Sequence, residues 1–404
     1  MTIQKFMILV CIVSPFATTV ARADDLSKLK MQIQALQSRV SDLEAQSQAS
    51  IPSGYSLLSI RDGQGVYHNS GPERYADRVR EDSGFTLSVL PTADAAPAAE
   101  VSVSGEIRTA LLYTDRDDTG DSLDVVNRGR IFVRGKVDTA VGEVGGYFRL
   151  EASGGGNFSD YSENTRMNKA WGYWKFAPGW ELMAGYNNNT GGLQTSYDWM
   201  VSSIPARTVG PASFNNEQLR LTYTSGPFAI AFSVEDPDGT SGDVSDLPNA
   251  QAYARYSSDS LTAQAVGLIQ DDDYGATDWA IGGGATLGIA ESFRVLAAAV
   301  LGEGTSSYAN HVRPGSADDD FWAASGGVIA DLSEDTRLEL GVGYEDYDLG
   351  GQALGINGGF FWDPVSQVTV GLGATWVDYG NEAVDDFEDY DQLQVYLGTW
   401  LRFP

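Results

Sequence analysis

From about residue 100 to Phe403 the chain repeats one unit: a stretch of about ten residues with alternating apolar and polar side chains, closed by a connection that is in turn short and long. Successive side chains of a β-strand point to opposite faces, so such alternation builds a sheet with one apolar and one polar side. The first stretch, 101–113, puts Val101, Val103, Ile107, Leu111 and Tyr113 mainly on one face and Ser102, Ser104, Glu106 and Arg108 on the other. The second, 126–137, sets Ile131, Val133 and Val137 against Arg128, Arg130, Arg134 and Lys136. Comparable stretches follow at 144–153, 167–176, 180–187, 218–224, 228–235, 250–256, 261–270, 279–289, 293–301, 322–332, 337–344, 354–362, 368–376 and 393–403. The expected fold is all-β: a transmembrane antiparallel β-barrel of about sixteen strands over 100–404, apolar outside and polar inside. A soluble sandwich or propeller also uses many strands, but it gives no reason for short connections at one end and long ones at the other.

Aromatic residues with outward parity gather near the strand ends. Phe176, Trp180, Phe228, Phe293, Trp362 and Phe403 fall on the short-turn side, and Tyr113, Tyr186, Trp279, Trp322, Tyr344 and Trp376 beside the long loops. Two such belts suit the two interfaces of a bilayer. A mean hydropathy of −0.21 is compatible with this, because only alternate residues meet lipid. With 26 Lys and Arg against 55 Asp and Glu, the net charge of −29 argues against nucleic acid as a partner.

Ahead of the barrel the sequence changes character three times. Residues 1–23 read as a signal peptide: Lys5, a short apolar run over 6–16, then Ala21-Arg22-Ala23. The single cysteine, Cys11, lies within it, so the processed chain has no thiol chemistry. Residues 24–50 carry a heptad, with Leu26, Ile33 and Val40 at a and Leu29, Leu36 and Leu43 at d. This predicts a self-associating helical coiled coil. Residues 51–99 read as a small periplasmic module or linker, with short strands at 55–60 and 85–90; a plug inside the barrel is the alternative.

Inward parity collects Arg108, Arg128, Arg130, Arg134, Lys136, Arg149, Lys169 and Lys175 on the first four barrel strands. Guanidinium groups on a channel wall attract carboxylates and phosphates. The structural reading beside it is that these cations pair with Glu106 and Glu151 and only brace the wall. Lys136 and Lys175, near a short turn, should matter least. Most acids lie in loops, as at Asp115, Asp117, Asp118 and 271–273, without the spacing of a calcium loop. His68 and His311 are the only histidines. Without a catalytic triad, zinc spacing or phosphate loop, no enzymatic activity, catalytic residue, cofactor or metal is expected.

The last strand, Tyr396-Leu397-Gly398-Thr399-Trp400-Leu401-Arg402-Phe403, resembles the terminal strand of outer-membrane barrels, which commonly end on an aromatic; Pro404 departs from that pattern. The long connection 188–216 follows the fifth barrel strand, as does the inward-folding loop of trimeric general porins. A coiled coil before such a barrel resembles the DcaP-like porins and some phosphate-selective porins. The resemblance implies a homotrimer in a Gram-negative outer membrane, in contact with lipid and lipopolysaccharide, its N-terminal segment in the periplasm. It also implies passive diffusion of small hydrophilic solutes and a constriction loop carrying Tyr197, Asp198, Trp199 and Arg207. That loop has little acidic charge to set against the basic wall, which leans the expected pore toward anions. The alternative function is a structural or adhesive surface protein using the barrel only as an anchor; channel conductance separates the two.

Overall fold

In the computed structural model of the chain, the residues described are 57–62, 85–91, 98–117, 120–154, 165–193, 209–211, 215–236, 249–271, 277–304, 319–381 and 390–403. The expected signal peptide and the heptad at 24–50 lie outside them. Two short strands come first, β1 (Leu57–Asp62) and β2 (Phe85–Leu90). Sixteen longer ones follow: β3 (Ala99–Arg116), β4 (Ser122–Thr139), β5 (Gly142–Gly154), β6 (Thr165–Ala177), β7 (Trp180–Asn188), β8 (Asn215–Ser225), β9 (Phe228–Glu235) and β10 (Asn249–Ser257). The series continues with β11 (Leu261–Asp271), β12 (Thr277–Ala290), β13 (Phe293–Glu303), β14 (Asp320–Asp331), β15 (Thr336–Tyr347), β16 (Gly351–Val365), β17 (Val368–Asn381) and β18 (Tyr390–Phe403).

From β3 onward each strand pairs antiparallel with the next, and β18 returns to β3, from Gln392 opposite Arg116 to Phe403 opposite Gly105. The sheet therefore closes into a sixteen-stranded antiparallel barrel. Its strands correspond in order to the sixteen alternating stretches, several running further than the pattern does. β3 extends to Ala99 because its backbone ladder with β4 continues to Val137. Along its other edge, β18 stops at Gly105 and β2 takes over, Phe85 facing Val103 and Val89 facing Ala99. Without β2 that end of β3 would present unpaired N–H and C=O groups. The Thr86 and Ser102 hydroxyls share a 3.1 Å hydrogen bond, and Ser88 donates to Glu100.

Parity decides which side chains face outward. Ile107, Ile131, Phe148, Leu150, Ile230, Phe232, Ile281, Ile356 and Leu397 are exposed, while the alternate positions Glu106, Arg108, Arg130, Arg149, Glu151 and Gln251 are buried. An apolar surface of this extent suits lipid and not water. At the short-turn end the Trp174 indole donates to the Val141 carbonyl at 2.8 Å and the Trp362 indole to Asp335 at 3.2 Å, while the rings of Trp180 and Tyr223 lie 4.8 Å apart. At the other end Trp279 donates to Glu303 at 3.0 Å, and Trp322 and Tyr344 are 5.0 Å apart. The indoles of Trp174, Trp279 and Trp362 thus rest their N–H on a polar group, the behaviour expected at an interface.

The chain after β7 turns into the barrel. Thr190 N–H donates to Glu235 on β9 at 2.8 Å, Gly191 N–H to Gln251 on β10 at 2.7 Å, and Gln264 on β11 reaches the Gly192 carbonyl at 3.5 Å. Leu193 then packs over β12, where a Cβ on Gly282 would stand 2.7 Å from its methyl group. Residues 209–211 lie further round the inner wall. Gly210 N–H donates to Glu345 on β15 at 2.7 Å, and Val209 covers Gly343 and Gly355. Ala229, Ala231, Ala280, Ala323 and Ala353 belong to the same buried cluster as Leu193 and Val209. These small inward side chains, with Gly282, Gly343 and Gly355, leave a track for residues 189–193 and 209–211.

Gly343 tests that track. A Cβ there would stand 1.6 Å from the Val209 carbonyl oxygen, whereas one on Gly129 of β4 meets nothing within 4 Å. Gly343→Val should still give a barrel whose gel mobility changes on heating, since valine suits a strand. Its inserted segment should be displaced, at a cost of about 1–3 kcal/mol in denaturant unfolding, with altered single-channel conductance. Gly129→Ala should leave both unchanged. A Gly343→Val protein matching wild type in both measurements would refute the track.

Candidate pore lining

The inner faces of β3–β6 carry the densest charge of the described barrel. Glu106 and Arg108 on β3 stand opposite Arg130 and Arg128 on β4, and Arg130 stands opposite Glu151 on β5. Arg130 bridges the carboxylates, with Nε 2.7 Å from Glu151 and Nη1 3.3 Å from Glu106. Arg128 approaches Glu151 at 3.7 Å, Arg166 pairs with it at 2.9 Å, and Arg108 pairs with Glu106 at 3.0 Å. Arg149 donates to Asn168. A register shift at Arg149/Leu150 gives β6 one extra residue, so Asn168 and Lys169 are both buried on the inner side, which strict alternation would not allow.

Among the described residues at this depth, Arg108, Arg128, Arg130, Arg149, Arg166 and Lys169 stand with only two carboxylates, Glu106 and Glu151. Among the described residues, pairing with Glu106 and Glu151 therefore fixes a group in which cations outnumber carboxylates. For the buried members burial raises the cost of leaving a group unpaired, so they hold their geometry firmly; Arg166 is exposed. Arg134 lies lower on β4, in register with Ser102 and Tyr147. Near the short turns charges alternate sign: Lys136 pairs with Glu100 at 2.9 Å, and Lys175 with Glu143 at 2.6 Å. Those two lysines are each balanced by a neighbouring carboxylate.

Parity along β3–β6 brings the sequence-selected cations to one wall. It did not single out Arg166, or the pair Trp400 and Arg402 on β18, whose side chains join the wall across the closing seam. Their signal was present in the alternation of the last strand, where Trp400 and Arg402 oppose Thr399, Leu401 and Phe403. On the far side, the carboxylates of Glu235 and Glu345 are taken by backbone N–H groups of the inserted segment. Tyr197, Asp198, Trp199 and Arg207 lie outside the described residues, as do His68 and His311 and the heptad residues Leu26, Leu29, Ile33, Leu36, Val40 and Leu43. Among the described residues, no cluster of three or more His, Cys, Asp or Glu is placed to hold a metal ion.

The chain matches the Gram-negative porin family over residues 86–300, more than half its length. Comparison with curated proteins finds no match. Among solved structures, the outer membrane channel DcaP of Acinetobacter baumannii is similar at a TM-score of 0.63 and 18% identity, over 76% of this chain and 98% of that one. The anion-selective porin from Comamonas acidovorans has a TM-score of 0.57 at 14% identity, over 76% and 100%. A loop-deletion form of OmpT, an outer membrane protein of Vibrio cholerae, has 0.52 at 13%, over 76% and 100%. At these identities the structural likeness speaks for the fold, and the family match carries the assignment. The closed barrel, its apolar exterior and its charged interior accord with that match: the chain belongs to the Gram-negative porins, and it is an outer-membrane channel for the passive diffusion of small hydrophilic solutes.

Proposed function

We propose that this porin favours anions. The observation that carries the proposal is the excess of guanidinium and ammonium groups over carboxylates on the inner face of β3–β6. A wall of fixed positive charge within a low-dielectric shell concentrates anions in the channel and repels cations, whether or not each group touches the permeating ion. The description of the Comamonas acidovorans protein as an anion-selective porin supports the same reading for a barrel of this fold.

Around this barrel we place a signal peptide at 1–23, a periplasmic coiled coil at 24–50, a small module or linker at 51–99, and a homotrimer as the working unit. The heptad supports self-association. Tyr197, Asp198, Trp199 and Arg207 would narrow the channel from the inserted connection; the seating of its two ends, 189–193 and 209–211, on the inner wall supports that role. Passage of solutes, rather than anchoring alone, is the function expected of the barrel.

Two measurements test these proposals. In a planar bilayer with a salt gradient, the zero-current potential should take the sign of an anion preference, and replacing Arg130 and Arg134 by Gln should move it toward cations. The preference should weaken as salt rises from 0.1 M, where charges are screened over about 10 Å, to 1 M, where the length is about 3 Å. A strong cation preference unmoved by those substitutions would sink the basic-wall reading. Separately, crosslinking of unheated full-length protein should trap three copies, and Ile33→Asp with Leu36→Asp should reduce that species; a ladder ending at two copies would replace the trimer with a dimer.

A further inference from the structure

The contact that closes the barrel also reaches into its charge network. Trp400 on β18 stands opposite Arg108 on β3. Two guanidinium groups meet its ring: Arg108, with Cζ 3.7 Å from a ring centroid, and Arg402, two residues along the same strand, at 3.8 Å. The indole N–H donates to Oε2 of Glu106 at 2.8 Å. The other oxygen of that carboxylate, Oε1, takes Arg108 at 3.0 Å and Arg130 at 3.3 Å. Trp400, Arg108 and Glu106 are all buried. One side chain therefore binds two cations through its ring and one anion through its N–H.

We infer that Trp400 is a positioning residue for ion selectivity: it keeps Arg108 and Arg402 turned along the inner wall and reserves one oxygen of Glu106, so that this carboxylate cannot close over its arginines. The inference rests on the anion reading above. Its physical basis is the negative potential of an aromatic face, which attracts guanidinium groups and lets two of them share a small volume. The indole N–H supplies the second part. With it gone, Oε2 of Glu106 is left without that donor in a buried site, and the nearest remedy is a second hydrogen bond from a guanidinium. The planar fork of Arg108 would then match both oxygens of the carboxylate and be drawn more closely against it, weakening the field it presents to the channel. A residue that carries no charge would thus govern how much of its neighbours' charge reaches the channel.

The test uses the full-length protein in planar bilayers, with Trp400→Phe and Trp400→Leu compared to wild type. Phenylalanine keeps a ring for the guanidinium groups but lacks the N–H; leucine lacks both. The anion-to-cation permeability ratio, read from the zero-current potential, should fall in the order wild type, Phe, Leu, with Leu lower than wild type by about twofold or more. Heat-dependent gel mobility checks that each variant is a closed barrel. A Phe variant equal to wild type, or a Leu variant equal to Phe, overturns the inference. If Trp400→Leu fails to fold, the Phe variant decides alone: a lowered ratio supports the positioning role and an unchanged one overturns it. A merely structural role would lower the yield or the melting temperature without moving the ratio. Should the wild type prefer cations, the anion reading fails, while the order of the three proteins still decides the role of Trp400.

Discussion

Everything in this barrel depends on the pairing of β18 with β3. A strand in lipid has no water to satisfy its N–H and C=O groups, so a sheet survives there only if its first and last strands find each other. The ladder from Gln392–Arg116 to Phe403–Gly105 supplies that closure. Once it forms, parity does the rest: one set of alternate residues is pressed against lipid and the other is gathered inside. The interior need not be apolar, because hydrogen bonds and ion pairs can satisfy it. That freedom allows Glu106, Arg130 and Glu151 to be buried together where a core of a soluble domain would tolerate few such groups.

The interior divides its labour by side-chain size and by charge. Around β3–β6 long basic side chains hold one another through two carboxylates. Around β9–β16, Ala280, Ala323, Gly282 and Gly343 leave room for residues 189–193 and 209–211, and polar groups there hold those residues by their backbone. The two halves therefore act on permeation in different ways, one through electrostatic field and the other through the space it yields.

How much of this was legible beforehand follows from the range of each signal. Strand identity, strand number and facing depend on a period of two residues, which any ten-residue stretch displays, so β3–β18 could be read from residues such as Val101 to Tyr113. The register shift that turns both Asn168 and Lys169 inward leaves no mark in that period, since a single extra residue looks like an ordinary polar position. Glycines such as Gly282 and Gly343 read as weak strand formers, and their reason became visible only with Leu193 and Val209 lying against them. Gly210 and Glu345 are 135 residues apart; no local pattern joins them. Trp400 was legible as an inward aromatic, but its stacking on Arg108 required the closing register.

The edge of β3 has a further consequence. β18 occupies it from Arg116 to Gly105 and β2 from Val103 to Ala99, so two segments distant in sequence share one row of hydrogen-bonding groups. Each backbone group can serve only one partner. A slip of β18 toward the short-turn end would have to evict β2, and a lengthened β2 would have to evict β18. The short strand thus acts as a mechanical stop on that edge, adding to the parity of β18 in limiting where the last strand can end.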